Sequence, residues 1–347
     1  MWGLLAWTSV FALSCVGCEH SARQPSEPTK STDQEVIVYT ALDRQFSEPI
    51  LDAFTQQTGI AVRAVYDTES TKTVGLVNRI RAEANRPRCD VFWNNEILNT
   101  LRLKSEELLQ PCHPAQAANY PQEFRDPQGD WYGFAARARV ILVNTERVRP
   151  DEIPHSIRDL AAPRFRGQAG IAKPLFGSTA THVACLFALL GETQAEELLN
   201  SLKANEIRVA GGNKTCAEMV GNGQLDCALT DTDDAISEVE AGKPVQIVFP
   251  DAEPGGMGTL LLPNTLAVVK DAPHPDAAEK LINYLLSPEV EGRLARGPSA
   301  QIPLNSKTTV QSRVARLENL NVMQVDFARA AEMFPVAAAY IENTFLQ

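Results

Sequence analysis

The sequence has no basic run or stripe, few histidines and, beyond its first residues, no apolar stretch of membrane-spanning length. Each absence removes a class of function. A formal charge of −11 and a pI near 5.1 leave no electrostatic footprint for a nucleic acid, which normally meets a basic face. No later segment approaches the roughly 18 consecutive apolar residues of a spanning helix, so an integral membrane protein is not expected. The histidines, His20, His113, His155, His182 and His274, are scattered, and no C-x-x-C follows Cys15 and Cys18. That argues against zinc. Neither a nucleophile elbow nor H-E-x-x-H is present, and no histidine neighbours the acidic cluster described below. The protein is therefore not expected to be an enzyme, a metal-dependent hydrolase being the least strained enzymatic alternative.

What is present points outward from the cell interior. Residues 1–17 are apolar and uncharged, too short to span comfortably, and read as an export signal. Val16-Gly17-Cys18 resembles the end of a bacterial lipobox, which makes Cys18 the expected lipidation site; a plain signal peptide cut elsewhere is the alternative. Residues 18–34 are rich in Ser, Pro, Thr, Gln and charge, the composition of a flexible tether. Five cysteines remain, Cys89, Cys112, Cys185, Cys216 and Cys227, an odd number that leaves at least one unpaired. A Cys89–Cys112 disulfide is one expectation for an oxidising compartment.

With 347 residues and 44% hydrophobic content, the chain can bury one large core or two ordinary ones. Strands are expected at 36–40, 60–66 and 90–93, alternating with helices near 49–58, 74–80 and 97–103. A long apolar strand at 133–144 is interrupted by Arg137 and Arg139. Further strands fall at 169–172, 207–210, 245–249 and 265–269, with helices at 180–190 and 277–286. Short connections between alternating strands and helices specify an α/β fold with a mainly parallel sheet.

One segment stands apart: the apolar run Cys227-Ala228-Leu229 ends in Thr230, Asp231, Thr232, Asp233 and Asp234. Ligands in open α/β sheets gather at strand ends, and Ile236 and Val239 then mark the inner face of a helix. Two readings stay open. The acidic residues cap and charge that helix, or their oxygens meet a hard cation or a solute's hydroxyl or ammonium groups.

The order of segments resembles the bacterial extracellular solute-binding proteins of ABC importers, in their ferric-iron-binding branch. The matching residues are 36–40, 54–62, 89–94, 131–134 with 137–140, 223–229, and 274–278 through 285–289. The resemblance implies a two-lobed periplasmic-binding fold of type II with a hinge, each lobe a mainly parallel sheet flanked by helices. The long strand at 133–144 and a second strand-rich stretch near 258–262, both suited to crossing between lobes, place those lobes at 35–136 with 257–300 and at 137–256 with 301–347. The resemblance also implies a ferric ion carried as cargo, with carbonate or phosphate as synergistic anion. In that branch the ion is held by a histidine after the first strand, a glutamate after the Asp-Val-Phe strand and a pair of adjacent tyrosines. Those places hold Asp43, Asn95 or Glu96, and Asp233-Asp234 here, so the implied metal set is Asp43, Glu96, Asp231, Asp233 and Asp234, without tyrosine. Carboxylates remain hard donors suited to a hard ion. The implied anion site comprises Gly177, Ser178 and Thr179 at a helix N-terminus with Arg137, Arg139 and Asn213. Helix capping for the hydroxyls, and an inter-lobe ion pair for the arginines, are the alternatives at those positions. The expected function is capture of ferric iron for a permease by a lipid-anchored, monomeric protein in the periplasm or on the outer face of the cytoplasmic membrane. A metal-free phosphonate or other small polar solute is the alternative cargo.

Overall fold

The structure, a computed structural model, describes residues 34–67 and 74–347. The expected export signal, the expected lipidation at Cys18 and the expected tether up to residue 33 lie outside the described residues. The strands are β1 (Glu35–Thr40), β2 (Ala61–Tyr66), β3 (Val91–Asn94), β4 (Leu109–Gln110), β5 (Tyr132–Asn144), β6 (Ala169–Ala172), β7 (Arg208–Ala210), β8 (Cys227–Asp231), β9 (Val245–Val248) and β10 (Leu261–Val269). The helices are α1 (Arg44–Thr58), α2 (Val74–Ala82), α3 (Leu98–Ser105), α4 (Gly177–Leu190), α5 (Glu192–Ala204), α6 (Asn213–Gly221), α7 (Thr232–Glu240), α8 (Pro275–Leu285), α9 (Pro288–Arg296) and α10 (Phe327–Tyr340).

The strands form one hydrogen-bonded path, β2-β1-β3-β10-β5-β8-β6-β7, with β4 on β10 and β9 on β5. The sheet turns on β5. Its first part, as far as Ala138, pairs with β10, whereas Arg139 to Asn144 pair with β8 and β9. Parallel pairing is confined to β1 with β2 and β3 and to β6 with β7 and β8. The sheet is therefore mixed rather than mainly parallel. The strands joining its two parts, β5 and β10, run antiparallel to each other and to their neighbours, and only the βαβ units can be parallel. β10 joins the strand expected at 265–269 to the end of the strand-rich stretch near 258–262, with Pro263 between them; the register slips there, between Leu262 and Asn264, where a proline cannot donate to the ladder.

Alternate residues bury against opposite layers, as the pleat dictates. Phe92 and Ile141 join a core with Leu103, Val183, Phe187 and Leu199. Their neighbours Val91, Trp93, Val140 and Leu142 join a second core with Phe54, Phe134 and Leu281. Helix α1 ends where Gly59 takes φ +74°, its N–H closing on the Thr55 carbonyl, the left-handed stop glycine makes without strain. Helix α10 packs on both α3 and α4, with the Arg102 guanidinium 4.9 Å from the centre of the Phe334 ring.

The expected Cys89–Cys112 disulfide does not form. Both thiols are free and buried, Cys89 in the first core and Cys112 in the second, so the sheet separates them.

Candidate functional site

Five strands deliver their carboxyl ends to one cleft of about 530 Å³, where open α/β sheets gather ligands. Asp43 follows β1, Asn95 follows β3, Lys173 follows β6, Gly211 and Gly212 follow β7, and Asp233 and Asp234 follow β8. Arg137 reaches the same cleft from β5.

The wall of this cleft is an ionic network centred on Asp231. Arg139 sits opposite Asp231 in the antiparallel register, so the two side chains meet as a cross-strand pair. Arg139 Nη1 donates to Asp231 Oδ1 at 2.6 Å and to Asn213 Oδ1 at 3.0 Å. The other oxygen, Oδ2, accepts from Ser178 Oγ at 2.6 Å, Asn213 Nδ2 at 3.1 Å and Arg137 Nη1 at 3.2 Å. Arg139 is fully buried and Asp231 nearly so. Burial opposes ionisation of Asp231, but Arg139, then Arg137, then the Ser178 hydroxyl reverse it and hold the carboxyl below its ordinary range. His182, also buried, accepts from Arg139 Nε at 3.4 Å. Burial first and the Arg139 charge second depress its imidazole to about 3, so it stays neutral and tolerates the guanidinium beside it.

Arg137 lies on the same face of β5 as Arg139, two residues apart. Its Nη1 is 3.5 Å from Asp233 Oδ2, and its Nη2 donates to the Asn95 carbonyl at 2.5 Å. Burial would weaken its hold on the proton, but Asp233, Asp231, Asp234 and Asp43 outweigh burial and raise it above the usual guanidinium range. Among the described residues, no protein group answers Arg137 Nε or Asn95 Oδ1, both buried.

Local capping does not account for these side chains. Asp231 is the N-cap of α7, yet its carboxylate makes no cap bond. Ser178 donates to Asp231 instead of capping α4, whose N-cap position is filled by Phe176 without a side-chain bond. Asp43 precedes α1 and likewise makes no cap bond. The α4 terminus therefore presents Gly177, Ser178 and Thr179 to the cleft, beside Asn213 and Lys214 of α6. Two helix N-termini on one cavity favour an anion.

The structure divides the residues singled out from sequence. Asp43, Asp233, Asp234, Arg137, Gly177, Ser178, Thr179 and Asn213 line the cleft. Arg139 and Asp231 stand behind them. An oxygen of Asp231 lies within 4.8 Å of oxygens from Asp233 and Asp234, but both Asp231 oxygens already accept hydrogen bonds from arginine, serine or asparagine. Glu96 is fully buried and turned away: it accepts from the Leu98 and Asn99 amides at 2.6 and 3.0 Å, and from Thr181 of α4 at 3.0 Å. It caps α3, and Asn95 takes its expected place in the cleft. Sequence reasoning missed Phe46, Phe176, Lys173 and Lys214. Their signal was position alone, just past a strand end or at the start of a helix.

With this geometry in place, similarity to known proteins decides the family. The profile of the family described as bacterial extracellular solute-binding protein matches residues 99–331. The chain belongs to that family. It is similar to iron uptake protein A1 of Synechocystis sp., at 28% identity over 83% of this chain and 82% of that protein. It is similar to the major ferric iron-binding protein of Neisseria meningitidis, at 26% identity over 86% of this chain and 89% of that one. The crystal structure of iron-bound HitA from Pseudomonas aeruginosa superposes with a TM-score of 0.79 at 25% identity, covering 88% of this chain and 99% of HitA. The α/β architecture is thus the two-lobed type II periplasmic-binding fold of this solute-binding family. Among the described residues, no helix is long and apolar enough to cross a membrane.

Proposed function

We propose that this solute-binding protein captures ferric iron between its two lobes and delivers it to the permease of an ABC importer. The observation that carries the reading is the meeting of Asp43 with Asp233 and Asp234 across one cleft. Carboxylate oxygens are hard donors, and a small trivalent cation is the hard acceptor they suit. Iron-binding relatives that align over most of this chain support the same cargo. Asp43, Asp233 and Asp234 are the proposed ligands, with Asp231 holding Arg137 and Arg139 in place behind them. A carbonate or phosphate would complete the ion's sphere at Gly177, Ser178, Thr179 and Asn213, facing Arg137. The lobes, 35–136 with 257–300 and 137–256 with 301–347, close about β5 and β10 as hinged binding proteins do. Cys18 carries the lipid, and the protein works as a monomer outside the cytoplasmic membrane, with no catalytic turnover.

Metal analysis of protein purified without chelator tests this. About one iron per chain is the expected result. A metal-free protein stabilised by a phosphonate, since a ligand of the native state alone must raise Tm, would transfer the cleft to the organic solute; zinc or magnesium with hydrolytic turnover would make it an enzyme.

A further inference from the structure

The same cleft has walls that a bare ion does not use. Phe46 of α1 and Phe176, the residue before α4, both line it and both remain partly exposed. Phe176 occupies an N-cap position, where Ser, Thr, Asp or Asn would stabilise the helix and where its own side chain makes no cap bond. An apolar ring at that place is locally unfavourable and needs another reason. Finally, both a donor and an acceptor in the wall lack partners. Arg137 Nε, which donates, and Asn95 Oδ1, which accepts, are buried without a protein partner, on residues only 6% and 5% exposed, and the donors Lys173 and Lys214 stand at the rim.

Building on the ferric reading, we propose that the iron enters as an organic chelate. The chelator's ring-sized apolar body lies between Phe46 and Phe176, where aromatic walls supply burial and stacking. Its anionic oxygens meet Arg137 Nε, Lys173 and Lys214, while Asp43, Asp233 and Asp234 take coordination positions the chelator leaves open. The substrate class is a ferric complex of an aromatic oxygen chelator, incompletely coordinated.

The test uses full-length protein with two probes, ferric iron with bicarbonate and ferric 2,3-dihydroxybenzoate. After desalting, iron and dihydroxybenzoate should remain on the protein together, seen in the ferric–catecholate absorption band. Phe46→Ala and Phe176→Ala should each weaken the dihydroxybenzoate complex by about tenfold or more, the scale of losing one buried ring, and leave ferric bicarbonate binding unchanged. The bicarbonate arm verifies that each variant is folded, and Phe46→Leu, which keeps bulk without the ring, should fall between. Iron retained while dihydroxybenzoate washes through would overturn the proposal, as would variants that bind both probes like the wild type. Iron retained from neither probe would overturn the ferric reading itself.

Discussion

Replacing Asp231 by Asn should unfold the protein more readily than any other single charge removal in the cleft region. The carboxylate accepts from Arg139, Ser178, Asn213 and Arg137 at 2.6 to 3.2 Å, and Arg139 has no exposed surface through which water could replace it. An amide retains the shape but not the charge, and its NH₂ faces donors. Breaking one partner out of a buried ion pair costs about 3–5 kcal/mol, because it strands the other charge. At about 2–4 °C per kcal/mol for a large domain, Tm should fall by on the order of 10 °C. The control is Asp233→Asn, whose carboxylate lies 3.5 Å from Arg137, farther than any of the contacts to Asp231, and which should cost less than Asp231→Asn. The pH dependence follows from the depressed Asp231 carboxyl. The folded state holds this proton less tightly than the unfolded chain, whose value is about 3.9. The contribution is therefore complete above that value and disappears as pH falls through the folded one. Calorimetry of both variants between pH 3 and 7.5 checks this: Asp231→Asn should show a flatter acid limb than wild type. Equal Tm losses in the two variants would refute the hub.

His182, depressed to about 3 by burial and Arg139, should show no imidazole titration by NMR between pH 5 and 8. Its neutral form contributes stability above the unfolded value near 6.5 that is lost as pH falls toward 3; an ordinary midpoint near 6.5 would contradict its burial. Cys89, Cys112, Cys185, Cys216 and Cys227 should all react with an aromatic disulfide reagent without prior reduction, but only after unfolding, since burial pushes Cys112 and Cys216 up to about 12. Three reactive thiols in that assay would restore a disulfide. Gly258→Ala should lower stability by about 2 kcal/mol or more, because Gly258 has φ +84° and an added Cβ would lie 2.7 Å from the Met323 amide nitrogen; an unchanged urea midpoint would refute the clash.

The first strands, the long crossing strand and the acidic strand end were legible because each combines a local periodicity with a sharp chemical boundary. β5 reads as a thirteen-residue apolar run, and its two arginines are visible as intrusions. What the sequence could not convey was which charges spend themselves on one another. Asp231, Asp233 and Asp234 look equivalent in one dimension. Only the register that sets Arg139 opposite Asp231 commits the first and turns the others to the cleft. Glu96 and Asn95 are adjacent, and the choice between them depends on α3 starting at Leu98 and taking Glu96 as its amide acceptor. α10 escaped notice because its partners, α3 and α4, are more than 100 residues away and Pro335 interrupts its pattern.

The central claim, that Asp43 and the Asp233–Asp234 pair hold a ferric ion between the lobes, is tested most directly by competitive iron titration against nitrilotriacetate at pH 7.5. Wild type, Asp43→Asn and Asp233→Asn would be compared at matched folded fraction. The account predicts one ferric ion per wild-type chain and at least about tenfold weaker binding in each variant, on the scale of about 1.4 kcal/mol per decade. Wild-type affinity in both variants, or no iron on the wild type, would contradict it.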